Sequence, residues 1–185
     1  RGAVRSAAEA QVDGYRLVLA LAQAASRRGA TVRNGTVVGV RRDGDRVTGL
    51  TLASGEVVSG GAYVFAMGPW TSQAGAWLGC PVPVEPLRGQ LIKLHMTAAR
   101  PRHVLFWGGN YILPKVDGSV LAGTTEEWAG FDSRGTEEGK ASIMGTVRRL
   151  APTLDSARVT EYRAGLRPVS RDGLPILGAA PGWRN

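Results

Sequence analysis

The chain is poor in the residues that carry several common chemistries. It has one cysteine, Cys80, and two histidines, His95 and His103. One cysteine excludes an internal disulfide and fits a reducing compartment, so a cytoplasmic location is expected. Two histidines without cysteine partners at metal-ligand spacing argue against zinc, and no metal is expected. No apolar run approaches the roughly 18 residues needed to cross a bilayer, so no membrane span is expected, and no signal peptide is visible. Acidic residues are few, with Asp+Glu 15 against Lys+Arg 23 for a net charge of +8. The excess is scattered in the pairs Arg27-Arg28, Arg41-Arg42 and Arg148-Arg149, with no basic run interleaved with aromatics, and no nucleic-acid partner is expected. No nucleophile triad or acid–base pair is legible, which leaves the catalytic assignment at none.

Glycine, by contrast, is abundant. At 26 residues in 185 it is about twice the usual ~7%. That implies many turns and close backbone approaches. The length suffices for one domain with a real core, or two small ones.

Apolar residues at Val12, Tyr15, Leu19 and Ala22, widened by Val18, Leu21 and Ala25, predict a helix from about Glu9 to Arg28, with Gly29 just past its end. Three antiparallel strands are expected between Val37 and Val58, turning at Asp43-Gly44 and Ser54-Gly55. The continuous apolar run Ala62–Met67 predicts a buried parallel strand ending in Gly68, with Pro69 opening a helix to Leu78. Pro81, Pro83 and Pro86 read as a break. Further strands are expected at Arg88–His95, Val104–Trp107, Tyr111–Lys115, Val120–Thr125 and Val159–Tyr162, with a Thr136-capped helix to Leu150. The fold class is α+β.

The most informative stretch is Ala164-Gly165-Leu166-Arg167-Pro168, followed by Asp172-Gly173-Leu174-Pro175-Ile176-Leu177-Gly178. Pro168 restricts Arg167 toward extended geometry, so the guanidinium loses less freedom when it grips a carboxylate. On residue type alone an ordinary ion pair with Glu161 or Asp172 competes with that reading. The two motifs resemble the late motif of the FAD-dependent oxidoreductases of the D-amino-acid oxidase superfamily, glycine oxidase-like branch, in which the arginine holds the substrate carboxylate.

Other segments are similar to the same family. Gly35-Thr36-Val37-Val38-Gly39-Val40 resembles its GTxVxG element, which implies that the backbone of Val38 meets the adenine of FAD. Ala66-Met67-Gly68-Pro69-Trp70 resembles an AxGxW element, which implies that Gly68 and Trp70 lie near the flavin. Arg88-Gly89-Gln90 resembles the RGQ passage into the substrate domain. Asn110–Pro114, Asp117-Gly118 and Ala122–Glu126 resemble the hairpin whose tyrosine reaches the carboxylate, here Tyr111. Glu126 takes no role from the resemblance. The returning strand carries Val120-Leu121-Ala122 and no lysine, which disfavours the sarcosine oxidase branch.

The resemblance implies FAD as cofactor, an amino-acid or amine carboxylate as substrate, and hydride transfer to the flavin followed by hydrolysis of the imine. It further implies residues 1–86 as part of a FAD-binding (Rossmann-like) domain, 87–167 as a mixed or antiparallel substrate domain, and 168–185 as the start of a return to the first. No G-x-G-x-x-G turn and no closing GHxRNG segment occur, and the chain starts at Arg1, so a fragment is expected. Such a fragment would expose an apolar sheet edge and self-associate. Two alternatives stay open: a stand-alone module that binds small carboxylates or a partner without catalysis, and a subunit that meets a separate flavin chain.

Overall fold

The computed structural model describes residues 3–8, 10–96 and 101–185. Helix α1 spans Gly14–Arg27. It starts where Asp13 accepts the Arg16 N–H at 3.1 Å, which fixes the N-terminus beyond the expected Glu9, itself outside the described residues. Its apolar stripe forms but is not covered by any described residue: Val12, Tyr15, Val18 and Leu21 are all exposed.

Strands β1 (Val37–Asp43), β2 (Arg46–Leu52) and β3 (Val57–Val58) form an antiparallel sheet in that order. Residues 62–67, expected as a buried parallel strand, carry no strand pairing, and Val64 is 90% exposed. A parallel strand exists only with neighbours to complete its hydrogen bonds. No described segment lies beside this one in that way. The exposed apolar edge expected here is therefore not a strand edge. The run ends in a 3-10 turn, Gly68–Trp70, which leads into α2 (Thr71–Leu78).

The larger sheet holds β4 (Val84–His95), β5 (Leu105–Trp107), β6 (Asn110–Pro114), β7 (Val120–Gly123) and β8 (Arg158–Ser170), ordered β5-β6-β7-β4-β8 and antiparallel throughout. Two strands are longer than expected. β4 begins before Pro86, and β8 runs on through the AGLRP motif to Ser170. Two prolines fit because Pro86 opposes Pro168, so neither owes the other an N–H. β8 is an edge strand, and the β7 ladder reaches β4 only from Leu91 onward. The β4–β8 ladder thus spans both expected domain boundaries, at 86/87 and at 167/168.

Helix α3 (Glu137–Leu150) follows the expected pattern. Thr136 Oγ1 accepts the Gly139 N–H at 3.1 Å, Glu137 and Glu138 sit in the first turn, and Arg148 and Arg149 sit in the last. It lays Ile143 and Val147 on the sheet face formed by Ile92, Leu94, Ile112, Val120 and Ala122, and Leu154 closes the core. Trp107, on the same face, lies 4.2 Å from the Arg149 guanidinium carbon.

This core is the main source of burial in the larger sheet. Ile143→Ala should therefore destabilise the chain by about 2–5 kcal/mol, measured as a lower urea midpoint with little change in slope.

Candidate functional site

Side chains alternate along β4. Arg88, Gln90, Ile92 and Leu94 face α3, whereas Leu87, Gly89, Leu91 and Lys93 face the other side. Cross-strand partners share a face. Arg167 opposes Leu87, Gly165 opposes Gly89, Gly123 opposes Leu91, and Tyr111 opposes Gly123. Arg167 on β8 and Tyr111 on β6 therefore stand on the same face, the one α3 leaves open.

Each lies over a glycine of a neighbouring strand. The Arg167 guanidinium lies across Gly89, so a Cβ at that position would collide with it. The Tyr111 ring lies over Gly123, where a Cβ would come within 2.8 Å of the phenol oxygen. Gly123 opposes Leu91, so Gly89 is its diagonal neighbour on the adjacent strand, about 7–8 Å away. Side chains at these two positions would fill the space into which Arg167 and Tyr111 extend. Arg88-Gly89-Gln90 and Ala122-Gly123-Thr124 are visible in the sequence, but their use as a bare floor depends on what crosses over them.

The strap after β7 supplies the next layer. Arg167 donates from Nη2 to Thr124 Oγ1 at 2.5 Å and from Nη1 to the Thr125 carbonyl at 3.1 Å. It pairs with neither of the carboxylates that residue type had suggested. Glu161 is bridged to Arg163, and Asp172 accepts from Ser170 and the Leu174 N–H. The strap is held to β4 by the Gln90 N–H, which donates to Thr125 Oγ1 at 3.1 Å, and by paired backbone bonds between Arg88 and Glu127 at 2.9 and 3.0 Å.

Beneath it lies a buried polar network. Arg88 donates from Nε and Nη2 to the Glu127 carboxylate, at 3.1 and 2.5 Å, and from Nη1 to the Arg134 carbonyl at 3.2 Å. The Asp132 carboxylate lies 3.5 Å from the same guanidinium. Gln90, 0% exposed, donates to Glu127 Oε1 and to Thr136 Oγ1, and accepts the Thr136 N–H. The Tyr162 hydroxyl sits between Gln90 Oε1 and the Thr136 backbone. Burial pushes the Glu127 carboxyl up most strongly, but hydrogen bonds from Thr125, Arg88 and Gln90 together bring it below its ordinary value.

The residues expected to meet the cofactor lie elsewhere. Val38 is in edge strand β1, skipped by the β1–β2 register between Val37 and Gly39, with its side chain 52% exposed. A bulged edge residue presents backbone groups outward. Gly68, at φ +55°, opens onto a hollow of about 800 Å³ lined mainly by residues 63–68, 80–84 and 174–185. Trp70 stacks on Phe131 at 5.8 Å and joins that region to the strap. Neither Arg167 nor Tyr111 lines the hollow. No glycine-rich strand-to-helix turn among the described residues receives the diphosphate of FAD.

Arg167 and Tyr111 thus share one open face of the larger antiparallel sheet. The chain belongs to the FAD dependent oxidoreductase (DAO) family, which it matches over residues 1–185. It is 40% identical over 149 residues to a glycine oxidase of Pseudomonas aeruginosa, covering 80% of this chain and 40% of that protein. It is 34% identical over 181 residues to a D-amino acid dehydrogenase of Xanthobacter autotrophicus, covering 96% of this chain and 43% of the relative. Its structure is similar to that of an iminodiacetate oxidase from Chelativorans sp. BNC1, with a TM-score of 0.87, 32% identity, and coverage of 94% and 47%. A glycine oxidase from Geobacillus kaustophilus matches with a TM-score of 0.83 at 30% identity, covering 89% of this chain and 45% of that one. The chain thus spans less than half the length of these relatives. Among the described residues no helix is long and apolar enough to cross a membrane, and no cluster of metal-ligating side chains occurs.

Two predictions follow from the floor and its support. Gly89→Ala should displace the Arg167 guanidinium and lower thermal stability, whereas Gly165→Ala, with nothing within 4 Å of the added Cβ, should change it by no more than about 0.5 kcal/mol. The Glu127 carboxyl has a folded pKa below its unfolded value of roughly 4.3, so its stabilisation is fully present above that value and is lost as pH falls through the depressed one. Urea unfolding from pH 7 down to pH 3 should accordingly show the difference between wild type and Glu127→Gln shrinking toward the acid end.

Proposed function

We propose that this chain supplies the substrate floor of an FAD-dependent amino-acid oxidoreductase, with a small amino acid such as glycine as substrate. One observation carries the reading. Arg167 and Tyr111 reach over two glycines on the one sheet face that α3 does not cover, which supports a cationic fork and a phenol acting on one carboxylate. Residues 1–86 belong, in this reading, with the flavin-binding part, residues 87–167 with the substrate part, and residues 168–185 with the return toward the flavin.

The division of labour follows from the residues. Arg167 neutralises the carboxylate and fixes its plane, and Tyr111 donates to one of its oxygens. Two anchored oxygens leave the α-carbon a narrow range of positions, which is the orientation a C–H cleavage requires. Val38 meets the adenine end of FAD through its backbone, and Gly68 and Trp70 approach the ring system. FAD, when bound, supplies the hydride acceptor. No acid–base pair is needed from the floor, since its work is binding and aiming.

A second reading, a carboxylate-binding module without catalysis, rests on the same face and differs only in FAD. Glycolate titrated into the 185-residue chain should bind, and Arg167→Lys should weaken it by roughly tenfold or more, as expected from losing a charge-assisted bidentate contact. Tyr111→Phe should weaken it by a smaller factor. Equal binding by wild type and Arg167→Lys would remove the carboxylate role. FAD added to the chain alone, followed by flavin fluorescence, should bind weakly. The charge-assisted bonds that usually receive a diphosphate contribute about 1.5–3 kcal/mol each, and among the described residues no glycine-rich strand-to-helix turn supplies them. Stoichiometric micromolar binding would show that such a turn is dispensable.

A further inference from the structure

The strap between β7 and α3 departs from a regular ladder by one residue. Gly123 opposes Leu91, yet Arg88, three residues back along β4, is opposed by Glu127, four residues on. The extra residue is a bulge, and bulges re-aim side chains next to sites. Here it takes Thr125 out of backbone pairing, with its hydroxyl accepting the Gln90 N–H in place of a carbonyl. It turns Thr124 Oγ1 and the Thr125 carbonyl toward β8, where both accept from Arg167. Thr124 is itself fixed from the other side. Its N–H donates to Asn110 Oδ1 at 3.2 Å, and Asn110 directly precedes Tyr111 on β6. Its hydroxyl hydrogen goes to the Thr125 carbonyl at 3.2 Å, leaving lone pairs for the guanidinium.

We infer that Thr124 is a positioning residue: its hydroxyl, with the Thr125 carbonyl, sets the plane of the Arg167 guanidinium and so the affinity of this face for a carboxylate. The inference rests on the carboxylate role of Arg167 proposed above. An arginine on an edge strand has several long-side-chain rotamers open to it, and ordering them costs free energy at the moment of binding. Two acceptors on the strap remove much of that cost beforehand, because the fork is already held flat over Gly89. They use part of its donor set and leave the rest for a carboxylate. The partly buried Arg88–Glu127 pair fastens the strap where the bulge would otherwise leave it loose. Asn110 links the same strap to the strand that carries Tyr111, so the two carboxylate contacts are set by one segment.

The test uses the 185-residue chain with glycolate as probe and three variants: Thr124→Val, which is nearly isosteric and lacks the hydroxyl, Thr124→Ser, which keeps it, and Arg167→Lys. Two readouts are taken, the guanidinium signals of Arg167 by NMR of ¹⁵N-arginine-labelled chain and the glycolate dissociation constant. Thr124→Val should speed rotation of the Arg167 Nη groups and weaken glycolate binding roughly tenfold, the equivalent of one hydrogen bond to a charged group. Thr124→Ser should restore both. A merely structural threonine would shift the unfolding midpoint without a selective change in the Arg167 signals. If wild type binds glycolate, Arg167→Lys does not, and Thr124→Val binds as wild type does, the positioning role is overturned while the carboxylate role stands. If wild type and Arg167→Lys bind equally or not at all, the carboxylate role fails and this inference fails with it.

Discussion

The long antiparallel ladder between β4 and β8 is the constraint on which the rest of the structure depends. These strands are far apart in sequence, and pairing Val84–His95 with Arg158–Ser170 fixes both faces of the larger sheet at once. One register places Ile92 and Leu94 under α3 and Arg167 over Gly89. A shift of β8 by one residue would flip its side chains alone, turning Arg167 toward α3 and Tyr162 away from it, while Ile92 stays paired with Ala122. The hydrophobic effect that buries the α3 face therefore also holds the open face in place, although no apolar residue takes part in the proposed chemistry.

The second constraint is polar. The network around Arg88, Gln90, Glu127, Thr136 and Tyr162 joins β4, the strap, the N-terminus of α3 and β8. A buried ion pair often adds little net stability, because desolvation opposes the attraction. Its value here is geometric. It ties a bulged segment without regular pairing to the strand that forms the floor. Breaking one partner leaves an uncompensated charge, so the network tolerates few arrangements other than the one present.

The smaller sheet and α1 stand apart from this core. Residues 62–67 form no strand, α1 shows its apolar stripe to solvent, and a hollow opens beside Gly68. Of the residues expected to meet FAD, Val38 lies in the smaller sheet, whereas the Gly68–Trp70 turn packs against β4 and β8. The carboxylate floor lies in the well-packed sheet. Trp70 stacked on Phe131 is the direct aromatic link between the two regions.

Local signals determined a good deal. Thr136 with its early acids marked α3, the Asp-Gly and Ser-Gly pairs marked the hairpins, and the motifs around Arg167 and Tyr111 marked the family and the two residues that share a face. Those signals are short-range, carried by caps, turns and alternating side chains. Sequence reading failed where the outcome depended on distant partners. Ala62–Met67 looks like a buried strand, but a strand needs neighbours. Pro86 looks like a break, but it is tolerated in β4 because it faces Pro168 on β8. Arg167 looks ready to pair with Glu161 or Asp172, yet those carboxylates are taken by nearer partners and the guanidinium turns to a strap more than forty residues away. The glycine floor, the one-residue bulge and the partly buried pair beneath it exist only once β4, β7 and β8 lie side by side. Their residue types are ordinary, and what gives them a role is register and close approach, which the tertiary fold alone decides.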